Sequence, residues 1–131
     1  MKQGLKHIVA LLLMVLVLFA GCGGPNSATY IQVDGTKAQT MMQESDEYVI
    51  VDVRTPKEYA KMHVKGAINV PNESIGDEAI AELPDKEQQI FVYCRSGRRS
   101  KQASEKLAAM GYSNIVEFGG IKDWEGPTES E

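Results

Sequence analysis

The chain has 131 residues, and its first 21 differ in composition from the rest. This opening stretch contains Lys2 and Lys6 but no acidic residue, so the remaining 110 residues carry 12 basic and 18 acidic side chains, a formal charge of −6. A length of about 110 residues is enough for one domain with a sizeable core. The acidic balance argues against a nucleic-acid-binding protein, because binding a phosphate backbone requires a basic surface.

The N-terminal segment has the pattern of a secretory signal. After the two lysines comes an uninterrupted apolar run over residues 8–20, shorter than the ~20 residues that span a bilayer as a helix. Residues 19–22, Phe-Ala-Gly-Cys, resemble a bacterial lipobox, in which the Cys is lipidated and the chain is cut before it. We therefore expect a lipoprotein signal peptide over residues 1–21, a lipid on Cys22 and a flexible tether over residues 22–29. The domain would then be exported and anchored to a bacterial membrane by its lipid; an uncleaved anchor with an incidental Cys is the alternative.

From residue 30 onwards, short apolar runs alternate with helix-like segments. Five runs predict strands, at residues 30–33, 48–53, 67–70, 89–94 and 114–118. The second run, YVIVDV, is largely apolar and β-branched, which is typical of a strand buried on both faces of a parallel sheet. The alternation predicts an α/β fold with a mostly parallel five-stranded central sheet flanked by helices.

The segments between the strands predict helices. They cover residues 36–44, a stretch that starts at Thr55, and residues 74–83, 100–110 and 121–124. The start at Thr55 is well defined, because Pro56 suits the first helical position and Glu58 can complete a capping box. Gly111 is placed to end the fourth helix in a left-handed conformation. Residues 127–131 are predicted to form an acidic, frayed tail.

Cys94 ends the fourth predicted strand, where open α/β sheets bind their ligands. The six residues that follow, 95–100, include three Arg, two Ser and one Gly. A tight loop that leads into a helix can turn several backbone N–H groups towards an anion, and the cations add to this effect. If Cys22 carries lipid through its sulfur, Cys94 has no disulfide partner within the chain. This setting predicts a reactive thiolate, with an inert buried cysteine as the alternative.

Several cysteine chemistries do not fit the spacing. A cysteine phosphatase needs an Arg six residues after the Cys, but Ser100 stands there and Arg99 falls one residue short. A protease-like dyad needs a His base, and His63, the only His of the domain, lies between a helix and a strand, where we expect a structural role. One Cys and one His do not make a metal site, so we expect neither a metal nor a cofactor. Sulfur transfer remains, because it needs only a nucleophilic thiolate and an anion pocket.

Three segments resemble the single-domain rhodanese-like proteins. They are VDVRTPKEYAKMHVKGAINVP at residues 51–71, CRSGRRS at 94–100 and GGIKDWEG at 119–126. The resemblance covers residues 30–126 and implies the rhodanese-like three-layer α/β fold. Met62 stands where a Gly commonly precedes the His in this family, and we expect a local backbone change there without loss of chemistry.

The resemblance implies a sulfurtransferase of the thiosulfate (rhodanese) type. Cys94 would take the outer sulfur of an anionic donor such as thiosulfate and become a persulfide. A thiophilic acceptor, cyanide in the test tube or a thiol, would then remove that sulfur. The candidate substrate-binding residues are Arg95, Ser96, Gly97, Arg98, Arg99 and Ser100.

These loop residues have different expected roles. Arg95 and Arg99 are expected to contact the donor, and Arg98 to point to solvent. Gly97 would supply a backbone angle that other residues resist. Ser100 would shape the loop through hydrogen bonds and could also cap the following helix. Backbone N–H groups of the loop would hold the terminal sulfur of the persulfide.

A second interpretation is a rhodanese-like module that carries persulfide or docks a partner without turning over small molecules. For either function we expect a monomer without nucleic-acid partners. Asp52 and Arg54 are expected to form a buried structural pair, and Met62 to fill the core.

Overall fold

A computed structural model of the chain describes residues 29–131. The predicted signal peptide, Cys22 and all but the last residue of the predicted tether lie outside the described residues. No helix within residues 29–131 has the length and apolar character needed to cross a bilayer. The elements in chain order are β1 (Ile31–Gln32), α1 (Gly35–Gln43), β2 (Val49–Asp52), α2 (Pro56–Lys61), β3 (His63–Val64), β4 (Ile68–Asn69), a 3-10 turn (Asn72–Ser74), β5 (Ile90–Cys94), α3 (Arg98–Ala109), β6 (Ile115–Gly120), a second 3-10 turn (Ile121–Asp123) and β7 (Thr128–Glu129).

A five-stranded sheet forms the centre of the molecule, with strand order β1-β6-β5-β2-β4. All four neighbouring pairs are parallel, and every residue of the central strand β5 is buried. One face packs against α3 through Ala103 and Leu107, and the other packs against α1 through Ala38 and Met42. The predicted three-layer α/β fold with a parallel five-stranded sheet is therefore confirmed.

The first turn of α2 forms as its sequence predicts. Pro56 is the first helical residue, and Thr55 Oγ1 accepts a hydrogen bond of 3.2 Å from the Glu58 backbone N–H. The Thr55 hydroxyl also donates to Glu58 Oε1 at 3.1 Å. Gly111 ends α3 with a φ of 100°, also as predicted.

The predicted helix over residues 74–83 is wrong, because only the 3-10 turn at Asn72–Ser74 forms there. The buried apolar residues of this segment are Ile75, Ile80 and Leu83. Gly76 lies inside this segment and disfavours a helix by about 1 kcal/mol relative to alanine. The segment instead runs as turns over the sheet, with a backbone hydrogen bond of 3.0 Å from Leu83 N to Ile80 O.

The end of the chain is not frayed, which corrects the prediction for residues 127–131. Thr128 and Glu129 form β7, which pairs antiparallel with β3. Glu129 Oε1 accepts a hydrogen bond of 2.9 Å from the Gly66 N–H and lies 3.3 Å from Nε2 of the buried His63. Composition does not reveal this pairing, because the partner strand lies far away in the chain: His63, which stands opposite Glu129, is 66 residues earlier.

Candidate active site

Cys94 is the last residue of β5, and its side chain is buried on the face of the sheet that packs against α3. The preceding Tyr93 points to the opposite face. Its hydroxyl donates to Asp52 Oδ2 at 2.6 Å and accepts from the Val64 N–H at 3.0 Å, which fixes the end of β5. Asp52 also forms the expected buried ion pair with Arg54, at 2.7 Å.

The loop after Cys94 turns backbone N–H groups towards the sulfur. Gly97 has a φ of 109°, in the left-handed region that favours glycine, as predicted. Its N–H donates to Cys94 Sγ at 2.9 Å. Because Gly97 also directly precedes α3, the sulfur lies beside the first turn of this 12-residue helix, whose dipole favours negative charge.

The environment of Cys94 favours the thiolate. Burial alone raises the pKa of the thiol, but the Ser100 hydroxyl and the Ser100 backbone N–H lower it. The N–H groups of Gly97 and Ser96 lower the pKa further, so the net pKa lies below the ordinary value of a cysteine. The thiolate is the nucleophilic form of cysteine.

Ser100 does not cap α3, which corrects one of its expected roles. The helix begins at Arg98, and the residue in the cap position is Gly97, which has no side chain. Ser100 is buried, and its hydroxyl lies 2.9 Å from Gly97 O and 2.6 Å from Glu117 Oε1. The sequence reasoning missed Glu117. Its signal was a charged residue inside the apolar run IVEF of β6.

The three loop arginines have different surroundings. Arg99 forms a two-pronged ion pair with Glu58 of α2, with N–O distances of 2.7 and 3.0 Å. This pair lowers the pKa of Glu58 to about 2. The structure thus engages the guanidinium of Arg99 with Glu58, whereas Arg95 and Arg98 are exposed.

A cavity of about 440 Å³ opens next to the loop. Its lining residues are Arg54, Glu58, Lys61, Met62, Arg95, Ile121 and Lys122. Arg54 and Glu58 are each engaged in an ion pair, whereas Lys61, Arg95 and Lys122 form none with any residue of the described range. Met62 does not fill the core as expected, since it is 45% exposed at this cavity. The cavity therefore combines free positive charge with an apolar wall.

Residues 29–131 contain no group of three or more side chains that could hold a metal ion. A larger cavity, of about 710 Å³, lies at the amino end of β2, where Tyr48 and Ile50 contribute to its wall. Cys94 lies at the carboxyl end of the neighbouring strand β5, whereas this cavity lies at the amino ends of the strands. The smaller cavity is therefore the one beside the reactive loop, since Arg95, the residue after Cys94, lines it.

Comparisons with known proteins agree with this geometry. The model of the rhodanese-like domain family matches residues 35–127. The chain is similar to the thiosulfate sulfurtransferase PspE of Escherichia coli, with 44% identity over 73 residues, covering 56% of this chain and 70% of that protein. It is also similar to the putative sulfur carrier protein YrkF of Bacillus subtilis, with 32% identity over 120 residues, covering 88% of this chain and 64% of that protein.

The solved structures point to the same family. A rhodanese with anions from E. coli is 39% identical in sequence and superposes with a TM-score of 0.59, over 64% of this chain and 99% of that chain. The match of the family model covers well over half of the 131 residues. The chain therefore belongs to the rhodanese-like domain family.

Proposed function

We propose that this protein is a sulfurtransferase that moves sulfane sulfur from an anionic donor such as thiosulfate to a thiophilic acceptor through a persulfide on Cys94. The observation that carries the proposal is the position of Cys94 Sγ, 2.9 Å from the Gly97 N–H at the start of α3. The lowered pKa of this thiol supports a nucleophilic role. The name of the relative PspE, a thiosulfate sulfurtransferase, supports the choice of donor.

In the first step, the Cys94 thiolate attacks the outer sulfur of thiosulfate. A bond forms between Cys94 Sγ and that sulfur, the sulfur–sulfur bond of thiosulfate breaks, and its electron pair leaves with sulfite. The persulfide then carries one negative charge on its terminal sulfur. Backbone N–H groups of residues 95–99 hold this charge, as an oxyanion hole does.

In the second step, the acceptor attacks the terminal sulfur. The bond between this sulfur and Cys94 Sγ breaks, and its electron pair returns to Cys94 as thiolate. Cyanide would leave as thiocyanate, and a thiol would leave as its persulfide. The cavity beside the loop is the route we propose for donor and acceptor, because the free cations Lys61, Arg95 and Lys122 attract anions to it.

The second candidate function is a persulfide carrier without small-molecule turnover. One observation favours it, because the ion pair with Glu58 occupies Arg99, one of the two cations expected to bind a small donor. The relative YrkF, named a putative sulfur carrier protein, supports the same function. A carrier would accept sulfur on Cys94 but would release it only slowly to cyanide or a small thiol.

Mass spectrometry of the full chain with Cys22→Ser tests both functions, since Cys94 is then its only cysteine. Thiosulfate is expected to add one sulfur atom, and cyanide to remove it as thiocyanate over many turnovers. The additional substitution Cys94→Ser is the control and must abolish the mass gain. A single stoichiometric transfer without turnover would favour the carrier, and no mass gain from thiosulfate would contradict the proposed donor.

We also propose that the chain is exported and anchored through a lipid on Cys22. The support lies in the sequence alone, in the lysines before the apolar run over residues 8–20 and in the small residues before the Cys. Expression in a bacterium fed with labelled palmitate is expected to label the membrane-bound protein. The variant Cys22→Ser is expected to lose the label. Equal labelling of both proteins would contradict the proposal.

A further inference from the structure

A carboxylate lies buried behind the Cys94 loop. Glu117 of β6 is 2% exposed, and its neighbours in register, Val92 of β5 and Gln32 of β1, carry no charge. Among residues 29–131, no Lys, Arg or His forms an ion pair with it. A buried ionised carboxylate without a cation is costly. Glu117 must therefore depend on hydrogen bonds or hold a proton.

The hydrogen bonds of Glu117 lead to the reactive cysteine. Glu117 Oε1 accepts from the Gly119 N–H at 2.8 Å and lies 2.6 Å from Ser100 Oγ. Ser100 Oγ in turn lies 3.4 Å from Cys94 Sγ and 2.9 Å from Gly97 O. The serine hydroxyl has a single proton and can donate it to only one of these acceptors at a time.

The direction of these bonds depends on the protonation of Glu117. When the carboxylate is ionised and takes the Ser100 proton, a lone pair of Ser100 Oγ faces Cys94, which then holds its own proton as a thiol. When Glu117 is protonated, it donates to Ser100, and the Ser100 hydroxyl is free to donate to the Cys94 thiolate. The two acids are therefore linked through one hydroxyl group.

We propose that Glu117 and Cys94 share one proton through Ser100, so that Glu117 is a positioning residue that sets the protonation of the nucleophile. In the transfer, the thiol proton passes to Ser100 Oγ while the Ser100 proton passes to Glu117 Oε1. No electrons are exchanged, and the charge of the cluster stays at −1. The use of this device in sulfur transfer rests on the proposed function.

Within residues 29–131, no cation forms an ion pair with the shared charge of Glu117 and Cys94. At the start of α3, Arg98 and Lys101 are exposed, and Arg99 is paired with Glu58. From β5 the hydrogen-bond partner of the cluster is Cys94, beside the uncharged Val92, and from β6 it is the Gly119 backbone. A second negative charge here would repel a dianionic donor such as thiosulfate. Holding one shared proton avoids that charge while the donor enters.

Thiolate absorbance against pH tests the proposal in the full chain with Cys22→Ser, with the Cys94→Ser protein as reference. Two acids that share a proton titrate in coupled steps, so the thiolate signal is expected to rise in two steps. Glu117→Gln is expected to leave a single step, shifted to lower pH. The matched control is Glu105→Gln, which removes the same charge from the exposed face of α3 and is expected to leave both steps unchanged.

Alkylation by iodoacetamide gives the size of the effect. The two hydrogen bonds place the carboxylate within about 6 Å of the sulfur. Removing a unit charge at about this distance changes proton affinity roughly 10- to 100-fold at an effective dielectric of 20–40. Below the wild-type midpoint, Glu117→Gln is therefore expected to react about 10-fold or more faster. An equal rate and a single thiolate step in both proteins would overturn the proposal.

Infrared spectroscopy keeps the test decisive if Glu117→Gln does not fold. In the shared-proton state, part of Glu117 is a carboxylic acid, and its carbonyl stretch is expected in the Cys22→Ser protein between the two steps. Alkylating Cys94 removes the thiolate, so the carboxyl is expected to ionise and the band to vanish. A band that alkylation does not change, or no band at all, would overturn the proposal. None of these measurements needs a sulfur donor, so they remain informative if the proposed sulfur transfer fails.

Discussion

Replacing Gly120 by Ala tests how the end of β6 supports the reactive loop. Gly120 is the register partner of Cys94 in the β5–β6 pairing. A Cβ at this position would overlap the carbonyl group of Arg95 and Cα of Ser96. The backbone of Gly120, with φ −133° and ψ 151°, is one that any residue adopts, so the expected effect is purely steric. Since the overlapped atoms belong to the backbone, no side-chain rotation relieves the clash.

The structure sets the size of the effect on stability and on rate. Forcing an extra carbon into a closely packed site costs about 1–3 kcal/mol, which lowers the melting temperature of a domain of this size by roughly 5–20 °C. The loop that moves begins directly after Cys94. A displacement of about 1 Å at a reacting group can cost about 100-fold in rate. We therefore expect kcat/KM for thiosulfate to fall about 100-fold in Gly120→Ala.

Thermal melting and thiocyanate formation from thiosulfate and cyanide measure the two effects. Gly76→Ala is the matched control, because a Cβ at Gly76 would meet no atom within 4 Å and its backbone has a negative φ. We expect this variant to melt within a few degrees of the unsubstituted protein and to keep its rate. If Gly120→Ala also kept both values, the close approach of β6 to the loop would not be what holds Cys94 in place.

Three further substitutions follow from the contacts of the site. Arg99 lowers the pKa of Glu58 to about 2, so the ionised carboxylate stabilises the fold above its ordinary pKa and loses this effect as the pH falls towards 2. Urea unfolding of Glu58→Gln is expected to show a deficit of about 1 kcal/mol at pH 7 that disappears near pH 2; a deficit independent of pH would contradict the ion pair as its cause. Tyr93→Phe leaves Asp52 without the hydroxyl that donates to it at 2.6 Å and is expected to cost about 1–3 kcal/mol in urea, so an unchanged midpoint would refute the supporting role of this bond. Arg95→Gln is expected to raise KM for thiosulfate and to weaken its dependence on salt, with little change in thermal stability; an unchanged KM would place the donor elsewhere.

Local patterns in the sequence predicted the parts of the fold that depend on neighbouring residues. The buried strands β2 and β5 lie within their predicted apolar runs, and α2 starts at Pro56 as its capping residues indicate. The apolar run of β5 likewise predicts that Cys94 lies at the carboxyl end of a central strand, where the structure has it. Periodicity and capping are properties of a few consecutive residues, so they can be read without knowing the fold.

Contacts between distant segments were not predictable in this way. β7 forms because β3 offers hydrogen bonds to it, and Arg99 is paired because α2 brings Glu58 to the loop. Glu117 lies 17 positions after Ser100 in the chain, yet the two side chains are 2.6 Å apart. In each case the tertiary structure supplies a partner that composition and spacing do not reveal.

The basic loop therefore has a different electrostatic role from the one its composition suggests. The groups that lower the pKa of Cys94 are the Ser100 hydroxyl and backbone N–H groups, and the nearest backbone donor is the Gly97 N–H at 2.9 Å. Arg99 is engaged by Glu58, while Arg95 faces the cavity with Lys61 and Lys122. The Ser100 hydroxyl and the loop backbone thus stabilise the nucleophile, and the free cations serve the incoming anion. Because the two functions reside in different groups, changes to the cations are expected to act on KM and salt dependence, whereas changes to the loop backbone act on kcat.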